Sequence, residues 1–362
     1  MIGMPREYLN LHRPGSIIHW YKSLYLTTAK RRRDVALVLP VVAQVEPTVR
    51  CDLACTFCHS QELRRARKSP DMTIEQFRHV IDELHFLLGL GIVGMGEPTL
   101  HPDFPRMVEY ANSKGICTQT VTNCNRHTLE ISRLLVSTGL RQIRVSIDGA
   151  TPEAYEKSRK GAQFERTIEN LRRLVEYRGS RRYPRIIVQM LAFDYNYHNI
   201  PDLARLCLSI GVDELMIQGR PTDWGKNGYV DQTVSRAATT AGNDYEKALN
   251  EAKQIVTGSR LIFEDHRSHY STDHPCRKPW SDLYVATTGD VVPCCTIADP
   301  GVMRMGNLFE QSFTDIWNGP KYVAFRKSIK DGRIPRCCFQ CYSPDLLRER
   351  SQNQEENQCS QK

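Results

Sequence analysis

From about residue 41, short strand-like apolar runs alternate along the chain with helix-like amphipathic segments. Short apolar runs such as LLGLGIVGMG, ICTQTVTN, QIRVSID and RIIVQMLAF have the composition of buried strands. Amphipathic segments such as TIEQFRHVIDEL and FERTIENLRRLVEYRG lie between them, and several end at a glycine, as helices commonly do. The pattern predicts roughly six β/α units, which is typical of an α/β fold with a partial (β/α)6 barrel of the TIM type.

The same pattern divides the chain into regions. Residues 1–42 form an N-terminal extension, and the barrel is predicted over 43–220. Residues 221–261, rich in Gly, Thr and Asn, are predicted to be a connector. A small second module follows over 262–345, in which DLYVATTGDVVPCC predicts two short strands around a turn. The polar tail, 346–362, is predicted to be disordered.

Candidate chemistry follows four successive strands of the barrel. Cys51, Gly96, Asn123 and Asp148 each stand just after an apolar run. In (β/α) barrels the loops at the carboxyl ends of the strands meet on one face and carry the active site. We therefore expect these four residues to converge.

Composition narrows the possible partners. The net charge is +8, but no nucleic-acid motif accompanies the basic runs KRRR and RRARK, so we expect no nucleic-acid partner. No apolar run is long enough to span a membrane, and the first residues lack the features of a signal peptide, so we expect a cytoplasmic protein. Thirteen cysteines are many for that compartment, where clustered thiols usually bind metal.

The first cysteine cluster is CDLACTFC, with Cys51, Cys55 and Cys58 spaced as Cys-x3-Cys-x2-Cys. Three thiolates can bind three corners of a [4Fe–4S] cube, whereas ordinary clusters take four cysteines. The missing fourth leaves one iron open to another ligand. A zinc site and a cluster used only for electron transfer are the alternatives.

This motif resembles that of the radical S-adenosylmethionine (SAM) enzymes. The resemblance implies that the open iron binds SAM and that an electron from the cluster splits a sulfonium carbon–sulfur bond. The segment GMGEP (94–98) resembles the family's glycine-rich motif near the SAM amino group. Other positions resemble those near the methionine, the ribose and the SAM carboxylate. The cofactor-binding residues implied in this way are Phe57, Gly96, Glu97, Asn123, Ser146, Asp148 and Arg159.

The second cysteine cluster spans Cys276, Cys294, Cys338 and Cys341. Its pattern, with GDVVPC before the second cysteine and Cys-x-x-Cys at the end, resembles the SPASM/twitch extension of the same family. The resemblance implies one auxiliary [4Fe–4S] cluster held by these four thiols. A structural zinc ribbon is the alternative.

The stretch RCCFQC adds Cys337 directly before Cys338. One interpretation is that Cys337 packs as a small hydrophobe. The other is that Cys337, Cys338 and Cys341 are catalytic and capture a thiophilic atom such as trivalent arsenic. The stretch resembles one in the radical SAM protein of arsinothricin biosynthesis, which implies transfer of a 3-amino-3-carboxypropyl group from SAM to arsenite.

We therefore expect a radical SAM enzyme that acts on a small molecule in a biosynthetic pathway. The alternative to arsenic chemistry is a dehydrogenase or epimerase of a sugar or aminocyclitol, which would use a 5′-deoxyadenosyl radical and the auxiliary cluster as electron acceptor. Peptide modification and a non-enzymatic zinc-binding protein are further alternatives. A flavodoxin or ferredoxin is the expected electron donor.

Overall fold

One ten-stranded sheet runs through the chain. The computed structural model describes residues 18, 20–22, 25, 32–58, 60–66, 70–219, 242–266 and 276–342. The strands are β1 (Val42–Val45), β2 (Gly89–Ile92), β3 (Cys117–Thr122), β4 (Gln142–Ser146), β5 (Arg185–Leu191), β6 (Glu214–Gln218), β7 (Ile262–His266), β8 (Asp282–Val285), β9 (Asp290–Val292) and β10 (Gly306–Asn307). Their order across the sheet is β10-β9-β8-β1-β2-β3-β4-β5-β6-β7.

Helices connect the strands. They are α1 (Ser60–Ala66), α2 (Ile74–Glu83), α3 (Phe104–Ser113), α4 (Leu129–Ser137), α5 (Pro152–Glu156), α6 (Phe164–Arg178), α7 (Ile200–Ile210), α8 (Asn243–Val256), α9 (Lys278–Ser281), α10 (Phe313–Trp317) and α11 (Pro320–Lys330). Helix α2 shows why they form where they do. Thr73 and Gln76 make a reciprocal capping box at its start, and its apolar positions are buried.

Strands β1 to β7 pair in parallel, each with the next in the chain. Right-handed crossovers between such neighbours place all the helices on the same face of the sheet. In β4, Ile143 and Val145 belong to the hydrophobic core on that face. Because side chains alternate along a strand, Gln142, Arg144 and Ser146 lie on the opposite face, here called the interior face. The α/β class and the parallel sheet predicted from the sequence are confirmed.

The barrel extends further than the sequence predicted. Residues 243–256, placed in a connector, form helix α8, which an ion pair between Arg205 and Glu251 at 3.0 Å joins to α7. Residues 262–266, placed in the second module, form β7 and pair in parallel with β6. The segment IFEDH is short and half-exposed, so it carries little of the apolar signal that marks a buried strand. Residues 221–241 of the predicted connector lie outside the described residues.

The C-terminal module continues the same sheet on its other side. Strand β8 pairs in parallel with β1, Val42 opposite Asp282. Strands β8 and β9 form the predicted antiparallel pair, and the turn between them places Gly289 at φ +79°, which glycine tolerates best. The polar tail predicted over 346–362 lies outside the described residues. No helix in the described ranges is long and apolar enough to cross a membrane.

Residues just before β1 pack on the C-terminal module. The indole N–H of Trp280 donates to the carbonyl of Arg33 at 2.7 Å, and that of Trp317 donates to the carbonyl of Val38 at 2.9 Å. These bonds satisfy two buried indoles and hold the segment before β1 against the C-terminal module.

Candidate functional site

The loop between β1 and α1 carries the first three thiols. Its backbone is held by two hydrogen bonds, from Ala54 N–H to the carbonyl of Lys160 and from Thr56 N–H to that of Ser158, both at 2.9 Å. Cys51, Cys55 and Cys58 are partly buried and unpaired. The charge of Cys55 acts on Cys51, and that of Cys58 acts on Cys55. The loop therefore presents three soft donors as one group.

These thiols need a cationic partner to ionise. Burial raises the pKa of Cys51 and of Cys55 to about 12, and the guanidinium of Arg159 opposes the effect at Cys55. Thiolates are the form that binds iron, and iron supplies the positive charge that makes them favourable. Three thiols in a water-poor loop thus have the donor set that a three-cysteine iron–sulfur site requires.

A buried ion pair lies beside Cys55. The Asp148 carboxylate accepts from Arg159 Nε at 2.7 Å and Nη2 at 3.1 Å, and also from the N–H of Leu191 at 2.9 Å. Burial lowers the pKa of Arg159, but the Asp148 carboxylate raises it. The net pKa of Arg159 is raised. The guanidinium also lies 5.4 Å from the ring centre of Phe57. The structure brings these predicted residues together; their contact with SAM stays a prediction.

Asp52, which the sequence analysis overlooked, anchors the loop between the first two thiols. Its side chain is 3% exposed. It accepts from Asn123 Nδ2 at 2.8 Å and from Asn125 Nδ2 at 2.7 Å. The same Asn123 nitrogen lies 3.8 Å from Cys51 Sγ. The loop after β3 therefore holds the cysteine loop through a buried carboxylate.

In the structure, the GMGEP segment makes contacts with neighbouring loops of the same chain. Glu97 is buried, and its oxygens accept from Thr99, from Thr122 Oγ1 at 2.8 Å and from the N–H of Asn123 at 2.7 Å. Burial raises its pKa, against the effect of these bonds. A Cβ on Gly96 would lie 2.4 Å from the Thr48 carbonyl oxygen. The geometry shows Glu97 joining two loops; a direct SAM contact stays a prediction.

Ser146 ends β4 on the interior face, half-buried. Glu46, which the sequence did not single out, is fully buried just after β1. Its oxygens accept from the N–H of Met95 at 2.9 Å and of Thr287 at 3.2 Å, so one carboxylate ties β1 to the loops after β2 and β8. A lone Glu in an apolar run gives no pattern that would reveal this role.

The second site gathers the other predicted thiols. The charges of Cys294 and Cys276 both act on Cys338, and that of Cys294 acts on Cys341. Burial raises the pKa of Cys294 to about 12 and that of Cys341 to about 11. Within the described ranges, no three His, Cys, Asp or Glu side chains are gathered closely enough for a single metal ion. A [4Fe–4S] cluster instead takes one cysteine at each of four separate irons.

Two further cysteines flank this group. Cys337 is buried at the start of a 3₁₀ helix, Arg336–Cys341, and a hydrogen bond with Cys338 lowers the pKa of Cys337 and raises that of Cys338. Lys278 Nζ donates to Cys295 Sγ at 3.3 Å. A small apolar group that includes Met95 and Tyr284 contacts both Cys295 and Cys58. The same apolar group therefore packs against one cysteine of the first loop and one cysteine beside the second site.

Replacing Asp52 by alanine should loosen the first cysteine loop. Two buried amides would lose their acceptor, which costs roughly 1–3 kcal/mol for each unsatisfied group. We expect iron at the first site to fall by half or more after anaerobic reconstitution, measured as iron per chain and by the electron paramagnetic resonance (EPR) signal. Asp202→Ala, on the exposed face of α7, is the control. An unchanged iron content in Asp52→Ala would refute the anchoring role.

His127 should make the protein sensitive to mild acid. It contacts Cys124 Sγ at 3.2 Å and Thr122 Oγ1 at 2.9 Å, and burial lowers its pKa to about 4. An unfolded histidine titrates near 6.5, so the unfolded chain takes up a proton first as pH falls. Stability present above pH 6.5 is then lost towards pH 4, by about 2 kcal/mol between pH 7 and 5.

Urea unfolding at several pH values tests this. His127→Gln should lower stability at pH 7 yet show a flatter dependence on pH, whereas His85→Gln, at an exposed position, should keep the wild-type slope. Equal slopes in wild type and His127→Gln would contradict the assignment.

Two family matches coincide with the two cysteine sites. Residues 45–207 match the Radical SAM superfamily, and residues 276–342 match SPASM, an iron–sulfur cluster-binding domain. The chain carries a Radical SAM domain and a SPASM domain. It is therefore an enzyme, and its cofactors are SAM, a SAM-binding [4Fe–4S] cluster and auxiliary iron–sulfur ligation in the SPASM domain.

Named relatives cover most of the chain. It is 26% identical over 313 residues to a tungsten-containing aldehyde ferredoxin oxidoreductase cofactor-modifying protein of Pyrococcus furiosus, covering 81% of this chain and 85% of the relative. It is 25% identical to mycofactocin maturase MftC of Mycobacterium tuberculosis, with 85% and 77% covered. It is 24% identical to a PqqA peptide cyclase of Xanthomonas axonopodis pv. citri, with 83% and 80% covered.

Solved structures share the fold. SuiB of Streptococcus suis bound to its precursor peptide SuiA superposes with a TM-score of 0.67 at 18% identity, covering 88% of this chain and 73% of that one. The protein anSMEcpe with bound AdoMet and the Cp18Cys peptide gives a TM-score of 0.56 at 15% identity, covering 84% and 88%. At these identities, the superpositions establish the shared fold.

Proposed function

We propose that this radical SAM enzyme modifies a peptide substrate, with Cys51, Cys55 and Cys58 holding the SAM-binding cluster. The observation that carries the assignment is the grouping of these three thiols with the buried Asp148–Arg159 pair. We assign the auxiliary cluster to Cys276, Cys294, Cys338 and Cys341, the four thiols that act on one another in the SPASM domain.

Cys51, Cys55 and Cys58 would hold the cluster, which with SAM bound would supply one-electron reductive cleavage of a sulfonium carbon–sulfur bond. The chain's own residues prepare the site. Arg159 offsets the negative charge of a Cys55 thiolate, and Asp148 holds the guanidinium in place. Asn123 directs an amide N–H towards Cys51 Sγ. Phe57, packed on Phe193 at 5.5 Å between ring centres, limits access of water beside Arg159.

A peptide substrate replaces the small-molecule expectation. One relative is named a peptide cyclase, and SuiB was solved with a precursor peptide. Nothing in these comparisons supports arsenite, a sugar or an aminocyclitol as substrate. A flavodoxin or ferredoxin as electron donor stays part of the proposal.

The test is anaerobic incubation of the reconstituted enzyme with SAM and a strong reductant. Release of 5′-deoxyadenosine, increased by a candidate precursor peptide encoded beside the gene and accompanied by a mass change in that peptide, is the expected result. Release that no peptide stimulates, but a sugar or aminocyclitol does, would overturn the peptide proposal. No SAM cleavage by fully loaded protein would overturn the assignment of the first site.

Aminocarboxypropyl transfer to trivalent arsenic is the second candidate, and Cys337 is the observation that favours it. Cys337 is a buried thiol outside the proposed four-cysteine group, in contact with Cys338. This chemistry would release 5′-methylthioadenosine, increased by arsenite, and Cys337→Ala should abolish the increase. The matched control is Cys295→Ala, which removes the other flanking thiol. Full arsenite-dependent activity in Cys337→Ala would exclude Cys337 as the arsenic ligand.

A further inference from the structure

Arg144 stands in the middle of β4 on the interior face of the sheet. The neighbours on either side in sequence, Ile143 and Val145, point into the hydrophobic core against the helices. Arg144 itself is half-buried. Ser146, two residues further on, ends the strand near the proposed SAM site, so Arg144 lies about 7 Å deeper along the strand. A cationic side chain therefore projects into the interior below the proposed radical site.

The residues in register with Arg144 on the two adjacent strands carry no charge. Arg144 is in register with Val121 on β3 and with Ile187 on β5, both apolar. Its polar neighbour is Gln142 on its own strand. With the Gln142 amide rotated to its better-bonded orientation, the amide oxygen lies 2.7 Å from Arg144 Nε and 3.2 Å from Nη2. That partner is a neutral acceptor.

Acidic side chains on interior-face positions of other strands already have other partners. Glu214 on β6 pairs with Arg185 at 2.8 Å, and Glu46 accepts from two backbone N–H groups. Glu264 on the edge strand β7 contacts His266 at 2.8 Å. Among the residues that the structure describes, Arg144 forms no ion pair.

Such an arrangement favours an anionic ligand. A partly desolvated guanidinium costs free energy unless an anion compensates it, and its planar fork binds a carboxylate through two parallel hydrogen bonds. Four more amide side chains stand on interior-face positions of the neighbouring strands: Gln44, Gln119, Gln189 and Gln218. Amides donate and accept equally well, which suits the peptide groups of a substrate.

We propose that Arg144 binds a carboxylate of the substrate and thereby orients the substrate below SAM. This inference rests on the proposed function, and it narrows the substrate to one that carries a carboxylate, either an acidic side chain or a free chain terminus. Arg144 acts here as a specificity residue for the peptide.

Ligand-observed NMR with the reconstituted, SAM-bound enzyme tests the proposal. The probes are N-acetylglutamate N-methylamide, N-acetylalanylalanine and the neutral N-acetylglutamine N-methylamide. We expect the wild type to prefer at least one charged probe over the neutral one. Arg144→Gln should weaken that binding on the order of tenfold, because a charge-assisted bond is lost. Arg144→Lys should lie between the two, because a lysine keeps the charge without the fork.

The controls separate the possible failures. Arg173→Gln on α6, whose side chain pairs with Glu169 on the surface, should bind all probes as the wild type does. Iron content and circular dichroism report whether Arg144→Gln folds and loads. Preference for the glutamate probe assigns the carboxylate to a side chain, and preference for the dipeptide assigns it to a terminus. The inference would be overturned if the wild type bound charged and neutral probes equally, or if Arg144→Gln bound the charged probes as tightly as the wild type does. If the wild type fails to cleave SAM, the proposed function fails independently of these results.

Discussion

Replacing Cys51, Cys55 and Cys58 together by alanine is expected to abolish SAM cleavage and leave the second site loaded. The three thiols are the soft donors that the loop after β1 brings together. Iron should fall from about eight to about four per chain, because each complete cluster holds four. Release of 5′-deoxyadenosine should drop at least about a thousandfold, since the chemistry depends on the cofactor.

Iron analysis and product assay of the variant check this together. Cys207→Ala is the matched control, because Cys207 is a buried thiol on α7 far along the chain from either site. It should retain full iron and activity. A triple variant that kept all its iron would show that the cluster is held elsewhere.

Gly96→Ala should impair the first cysteine site, because the added methyl group would displace the backbone before Cys51. The new Cβ would lie 2.4 Å from the carbonyl oxygen of Thr48 and 2.5 Å from that of Arg50, and neither atom can rotate away. The segment that leads into Cys51 must therefore move. Overpacking of this kind costs about 1–3 kcal/mol or more. We also expect SAM cleavage to fall at least about tenfold, because a small displacement of positioned groups is costly in rate.

The unfolding midpoint in urea and the rate of 5′-deoxyadenosine release measure the two effects. Gly301→Ala is a fitting control, since its Cβ would meet the Asp299 carboxylate at 3.1 Å on an exposed turn. That side chain can move aside. Wild-type stability and rate in Gly96→Ala would mean that the close approach of the two loops is unimportant.

The cysteine spacing and the strand–helix rhythm were enough to predict the family and the convergence of the loops at the carboxyl ends of the strands. They could not predict hydrogen-bond partners. Asp148 and Arg159 were both predicted as separate SAM contacts, yet the structure pairs them with each other. Glu97 was predicted on the same basis and is engaged by its own chain. Such pairings depend on how loops cross in space, which a linear pattern does not encode.

Other features of the structure left too weak a signal in the sequence to be predicted. Asp52 stands between two conspicuous cysteines, and its two asparagine partners come from the loop after β3. Strand β7 has alternating exposed positions at the sheet edge and follows a long polar stretch, so its membership of the barrel depends on long-range pairing with β6. Arg144 could be placed on a strand from its pattern, but its lack of an acidic neighbour depends on register.

The parallel pairing of β1 with β8 has a consequence for how the enzyme is made. Val42 on β1 is in register with Asp282 on β8, so β1 is synthesised 240 residues before its partner strand. At about 5–20 residues per second, the nascent chain spends on the order of tens of seconds with that side of β1 unpaired. The acceptors of Val41 and Glu46 N–H, the carbonyls of Ser281 and Val285, are also missing during this time. Iron insertion at the first site is therefore expected to follow the synthesis of β8 and its docking on β1.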